Sequence, residues 1–169
     1  MAAGTTLIPV EEYLRNSYQP NCEYIDGILR QKPRPIWNHA ALEGRFFELI
    51  NSGFPDFAAG CEATVRSREG KYLVPDAVVQ YRNQVQRRYP TDPVHVCVEI
   101  LSPDGRLSEA LAKCEEYHAW GVETTWIVDL EIRRAWEYRS GLRLAEVPAN
   151  GSLTAEGISI PLNELFSVL

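Results

Sequence analysis

The chain has 169 residues, a length that suits one domain, and its 45% hydrophobic content can bury a core and excludes a disordered chain. A net charge of −6 disfavours a surface dedicated to gripping nucleic acid by charge alone. No apolar run is long enough to cross a bilayer, so no membrane association is expected. Met1 to Ile8 lacks the positive patch and apolar stretch of a secretory signal, which makes the cytoplasm the expected location.

Taken in chain order, Pro9 to Ser17 reads as a short helix, with Pro9 in its first turn and Thr6 as one candidate cap. Cys22 to Lys32 reads as a hairpin, because Asp26-Gly27 supplies the positive φ angles of a tight turn. Ile36 to Asn51 is a predicted helix: Leu42, Phe46, Leu49 and Ile50 recur at helical spacing and Gly53 marks the stop. Phe57 to Arg66 and Tyr72 to Tyr81 are expected to be two strands around the polar turn Arg68-Glu69-Gly70. Val94 to Leu101 is a strong strand, with Val94, Val96, Val98 and Ile100 alternating on one face. Gly105 to Trp120 follows as a helix whose stripe is Leu107, Leu111, Cys114 and Tyr117. Thr124 to Leu130 is a further strand, Arg133 to Tyr138 and Leu142 to Val147 a closing hairpin through Ser140-Gly141, and Asn163 to Phe166 a short terminal helix. The strand–helix–strand unit from Val94 to Leu130 is long enough for a parallel crossover. The fold class is therefore α/β or α+β, with a mixed sheet flanked by helices.

Four cysteines, Cys22, Cys61, Cys97 and Cys114, form neither a CxxC pair nor a Cys/His cluster, which argues against a zinc site. Cys97 and Cys114 read as small buried hydrophobes. His95 and His118 read as structural or exposed. Arg82, Arg87 and Arg88, between Tyr81 and Tyr89, suit either phosphate contacts or a solvated loop.

Two acids interrupt apolar strands: Asp76 in Val74-Pro75-Asp76-Ala77-Val78-Val79, and Glu99 in Val94-His95-Val96-Cys97-Val98-Glu99-Ile100-Leu101. A carboxylate buried without a partner is costly, so each needs a cation, a hydrogen-bond network or an escape to solvent. On neighbouring strands both could face one cleft and bind a hard divalent cation. The competing expectation is that each ends its strand at a sheet edge and is solvated. Pro75 cannot donate to a ladder and implies an edge or a bulge. Lys113, on the next helix, suits either a catalytic ammonium or a helical ion pair with Glu109, four residues earlier, or with Glu116. His39 suits either a phosphate or proton-transfer role, or a place as a cap or solvated residue at the start of its helix.

The ordered set Pro75-Asp76, Glu99-Ile100-Leu101-Ser102-Pro103-Asp104, Lys113, Tyr117, Gly121-Val122 and Trp126-Ile127-Val128-Asp129 resembles the Uma-type restriction-endonuclease family of the PD-(D/E)XK nuclease superfamily. Glu23-Tyr24-Ile25-Asp26-Gly27 resembles its N-terminal signature. Asn38-His39 resembles a following element that relatives more often carry as His-Asn. The resemblance runs from about Val10 to the final helix. It implies a restriction-endonuclease-like core, with Asp76 as the motif Asp and Glu99 as the motif acid. It also implies Mg²⁺ or Mn²⁺ held by Asp76, Glu99 and the backbone carbonyl of Ile100. The usual lysine, two residues past the acid, is Leu101 here, and the resemblance moves its role to Lys113. Glu23 matches a further acid for metal or water, and His39 supports the site.

Those residues imply metal-dependent hydrolysis of nucleic-acid phosphodiester bonds, with DNA as the expected substrate. A homodimer is expected because cutting both strands takes two sites. Trp136 and Tyr138 are candidates either for that surface or for the core. Negative net charge and Leu101 instead favour a catalytically inactive nuclease-fold module acting in nucleic-acid binding or assembly. A small-molecule phosphate hydrolase would use the same metal chemistry.

Overall fold

The computed structural model describes residues 7–103, 105–139, 141 and 143–169. Thr6, Asp104, and Ser140 and Leu142 of the expected closing turn lie outside them. Among the described residues the order is α1 (Val10–Arg15), β1 (Cys22–Ile25), β2 (Ile28–Gln31), α2 (Trp37–Gly53), β3 (Phe57–Cys61), β4 (Val65–Arg68), β5 (Lys71–Leu73), β6 (Ala77–Tyr81), β7 (Val96–Leu101), α3 (Leu107–Trp120), β8 (Thr124–Asp129), β9 (Arg134–Arg139), β10 (Arg143–Glu146), β11 (Ser152–Ala155), β12 (Ile158–Pro161) and α4 (Leu162–Leu165).

The main sheet has the order β10-β9-β8-β7-β6-β3 and is mixed, because β7 and β8 run parallel while the other pairs are antiparallel. Helix α3 makes the parallel crossover between β7 and β8 that the sequence spacing predicts. Every residue of β7 is buried, as expected for a strand covered on both faces. On one face Leu42, Phe46 and Ile50 of α2 pack with Val96, Val98 and Trp126, and Phe46 stacks on Trp126 at 6.0 Å between ring centroids. On the other face lie Ala110, Cys114 and Tyr117 of α3. Gly121 closes α3 in the left-handed region (φ 116°), and its N–H caps the carbonyls of Tyr117 and His118.

A second sheet has the order β2-β1-β5-β4. Its existence corrects the expectation of two long strands over Phe57–Arg66 and Tyr72–Tyr81. Each is broken and shared between the sheets. Glu62, just past β3, stands at φ 47°, and its N–H donates to the carbonyl of Asp76. Pro75 has no N–H to continue a ladder, so β5 ends at Leu73 and β6 begins at Ala77. The chain therefore crosses between the sheets at 62–64 and again at 74–76. The Asp26-Gly27 hairpin forms as expected, with both residues at positive φ (50° and 91°).

Other boundaries move. β7 begins at Val96 rather than Val94, although the His95 N–H still reaches the Val79 carbonyl. The β11–β12 hairpin was not expected from the sequence: its strands are four residues each, and Leu153, Ile158 and Ile160 bury beneath Trp126, whose Nε1–H donates to the Thr154 carbonyl at 3.1 Å. Tyr138 is core and Trp136 packs against it. Arg82 donates to the carbonyls of Pro55 and Phe57, whereas Arg87 and Arg88 are exposed. No helix among the described residues is long and apolar enough to cross a membrane.

Candidate metal centre

Asp76, Glu99, Lys113, Glu23 and His39 line one cleft of about 480 Å³. It lies where the two sheets meet, and four separate parts of the fold contribute to it. The second sheet supplies Glu23 from β1 and Lys32 just beyond β2. The main sheet supplies Asp76, ahead of β6, and Glu99 and Ile100 of β7. α2 supplies His39, and α3 supplies Lys113.

The expectation that the acids end their strands in solvent is overturned: Asp76 is 3% exposed and Glu99 7%. Their charges are met inside the protein. Asp76 Oδ2 accepts the Ile100 N–H at 2.6 Å, and Oδ1 accepts Lys32 Nζ at 2.6 Å. His39 Nε2 lies 3.5 Å from Oδ2. Burial opposes the charge on Asp76, but His39 and Lys32 outweigh it and hold the carboxyl well below its ordinary value. Glu99 Oε1 accepts Lys113 Nζ at 2.6 Å and the Tyr117 hydroxyl at 2.5 Å, which leaves Oε2 for another partner. Its carboxyl is pushed above the usual value by burial, against the pull of Lys113, with Asp76 adding to the rise.

The expected helical pair of Lys113 with Glu109 does not form. Nζ instead points under the helix to Glu23 (3.0 Å) and Glu99 (2.6 Å), and Glu109 is exposed. Glu116 pairs with Lys71. Burial disfavours the Lys113 charge, yet Glu99 and Glu23 outweigh it and raise the ammonium above its ordinary value. Glu23 is 2% exposed, and its oxygens are taken by Arg30, Lys113 and the Val74 N–H. Its carboxylate is thus saturated by protein donors, which fits a residue that holds Lys113 in place. His39 neither caps α2 nor faces solvent; it is 7% exposed, between Asp76 and Glu43.

Sequence reasoning missed Lys32, Glu43 and Glu62. Lys32 Nζ also lies 3.5 Å from Glu62. Lys32 ends a polar hairpin arm, where a lysine is unremarkable, so the sequence carries no signal for it. Glu43 did carry one: it stands four residues after His39, on the same helical face. Exposed Arg30, Arg34 and Arg106 line the mouth of the cleft, a local basic rim on an acidic chain.

The donors fit a hard divalent ion: two carboxylates converge, and the Ile100 N–H that binds Asp76 turns the carbonyl on the same strand edge toward that side.

No curated protein matches the chain. A solved structure described as a putative nuclease belonging to DUF820, from Anabaena variabilis ATCC 29413, is 20% identical, with a TM-score of 0.80 over 95% of this chain and 98% of that one. At that identity the likeness establishes the fold. The family model Uma2, described as "Putative restriction endonuclease", matches residues 10–163, so the chain belongs to the Uma2 family, as its ordered motifs led us to expect.

Proposed function

We propose that the protein hydrolyses nucleic-acid phosphodiester bonds with Mg²⁺ or Mn²⁺ held by Asp76, Glu99 and the Ile100 carbonyl. The observation that carries this reading is the convergence of two buried carboxylates on one cleft, with Lys113 bonded to one of them. Such an ion supplies an activated water at neutral pH and stabilises charge on the phosphate. Lys113 stabilises charge developing on the phosphoryl oxygens or positions the attacking water. Glu23 and Tyr117 fix it there through Nζ and through Glu99. His39 and Lys32 orient Asp76. The arginine rim holds the flanking phosphates, with DNA as the preferred substrate. Cutting both strands of a duplex calls for a homodimer, and the cytoplasm is the compartment that suits the chain.

Calorimetric titration of Mg²⁺ or Mn²⁺ into wild type and Asp76→Ala tests the site, and equal binding by both proteins sinks it. Incubation with DNA and RNA of several forms plus Mn²⁺ tests the activity. Cleavage is expected in wild type and lost in Glu99→Gln and Lys113→Met separately.

One observation favours a second reading, an inactive nuclease-fold module. Leu101 stands where the superfamily carries its lysine, and Lys113 is already engaged by two carboxylates. No cleavage together with retained nucleic-acid binding would select it.

A further inference from the structure

Trp37, the first residue of α2, has no role in the reading above. It is 84% exposed. Of the four tryptophans it alone stands in solvent: Trp126 is buried, and Trp120 and Trp136 are half-buried. An indole is a large apolar surface that folds usually cover, so one left this open points to a partner.

Its place in the fold selects that partner. The preceding residues, Pro33 to Ile36, line the cleft. His39, two residues further on, places Nε2 3.5 Å from Asp76. Trp37 stands only about 3 Å along the helix axis from His39, at the end of a wall of the cleft. That wall is preorganised: Pro33 and Pro35 fix φ on either side of Arg34, and the first turn of α2 fixes Trp37. Arg34 is exposed on it, and Arg106, also exposed, lines the same cleft.

An open indole beside guanidinium groups suits an unpaired strand, because the cations follow the phosphates while the ring stacks on a base. Inside a duplex both faces of a base are covered by its neighbours, so stacking takes an unpaired base or one flipped out. A second copy of the chain would cover the indole too, but the arginines of the same cleft match phosphates, which decides for the strand.

We propose that Trp37 is a base-stacking platform through which the protein selects an unpaired DNA strand over a closed duplex. The proposal rests on the nuclease reading for the path of the strand through the cleft, and it adds the form of the substrate.

The test is fluorescence anisotropy in EDTA, where no cleavage occurs, with three DNA probes of one length: a single strand, a duplex, and a strand of the same phosphates and sugars without bases. Wild type is expected to bind the single strand at least about fivefold tighter than the other two, with Trp37 emission quenched by the single strand alone. Trp37→Ala should weaken the single strand about tenfold and the other two less than about twofold, and Trp37→Phe should recover most of the loss. Thermal melting should be unchanged in both variants. Failure of wild type to bind the single strand, equal binding of the base-bearing and base-free strands, or an equal loss on both in Trp37→Ala would overturn the proposal. A fall from dimer to monomer in Trp37→Ala by sedimentation, with strand preference unchanged, would assign the indole to a second copy and overturn it as well. Cleavage with Mn²⁺ by wild type, lost in Glu99→Gln, would leave the nuclease reading standing in each of those cases. No cleavage, with the single-strand preference present and lost in Trp37→Ala, would uphold the platform and defeat the nuclease reading.

Discussion

The two faces of β7 carry different kinds of core. Toward α2, Val96, Val98 and Ile100 meet Leu42, Phe46, Ile50 and Trp126, with no charge in the cluster. Toward α3, Cys97 and Leu101 flank Glu99, and the helix answers with Lys113 and Tyr117 as well as Cys114. Both faces are closed to water to a similar degree. The difference teaches that burial alone did not select the residues of this strand; the partner helix did. A lone carboxylate at Glu99 would cost several kcal/mol, and the ammonium and hydroxyl from α3 offset that cost.

The largest expected effect is on the apolar face. Trp126→Ala removes the largest fully buried side chain and should cost about 3–5 kcal/mol in urea denaturation, while the folded fraction keeps its cation affinity. A loss below about 1 kcal/mol would mean that this face is not the main source of stability.

Lys113→Met should cost slightly less, about 3 kcal/mol, because it leaves Glu23 and Glu99 buried without their shared ammonium. Adding Glu99→Gln should recover part of that loss. A double-mutant cycle should give a coupling of about 1–3 kcal/mol, and strict additivity would show that the two side chains act independently.

Tyr117→Phe keeps the ring and removes one hydrogen bond to a carboxylate, for an expected loss of about 1.5–2 kcal/mol by the same denaturation. Because Lys113 remains, the variant should still bind Mn²⁺; loss of binding would assign the hydroxyl more than support.

The smallest effect lies at the cleft mouth. Arg34→Ala or Arg106→Ala should leave stability unchanged and lower the slope of log affinity against log salt for nucleic acid by about one, measured by fluorescence anisotropy. An unchanged slope would remove that arginine from the phosphate path.

Much of the fold was legible because its signals are local. The four-residue spacing of Leu42, Phe46 and Ile50 marked α2, the Asp26-Gly27 pair marked a hairpin, and the β-branched runs marked β7 and β8. The split of Phe57–Arg66 and Tyr72–Tyr81 between two sheets was not legible. Apolar residues occur on both sides of each break, and only pairing partners reveal that a strand changes sheets. The β11–β12 hairpin escaped because its strands are short and its buried residues are held by Trp126, distant in sequence.

The sequence by itself determined that Asp76 and Glu99 needed a cation, a hydrogen-bond network or an escape to solvent, since an acid inside an apolar run is costly once the strand is covered. Its ordered motifs also determined the family. Only the tertiary structure decided who the partners are. Lys113 turned away from Glu109 because a surface ion pair is worth little, whereas two buried carboxylates hold an ammonium strongly. Lys32 and Glu62 joined the site because two sheets and α2 meet at Asp76, and that meeting is a property of long-range packing that no residue spacing encodes.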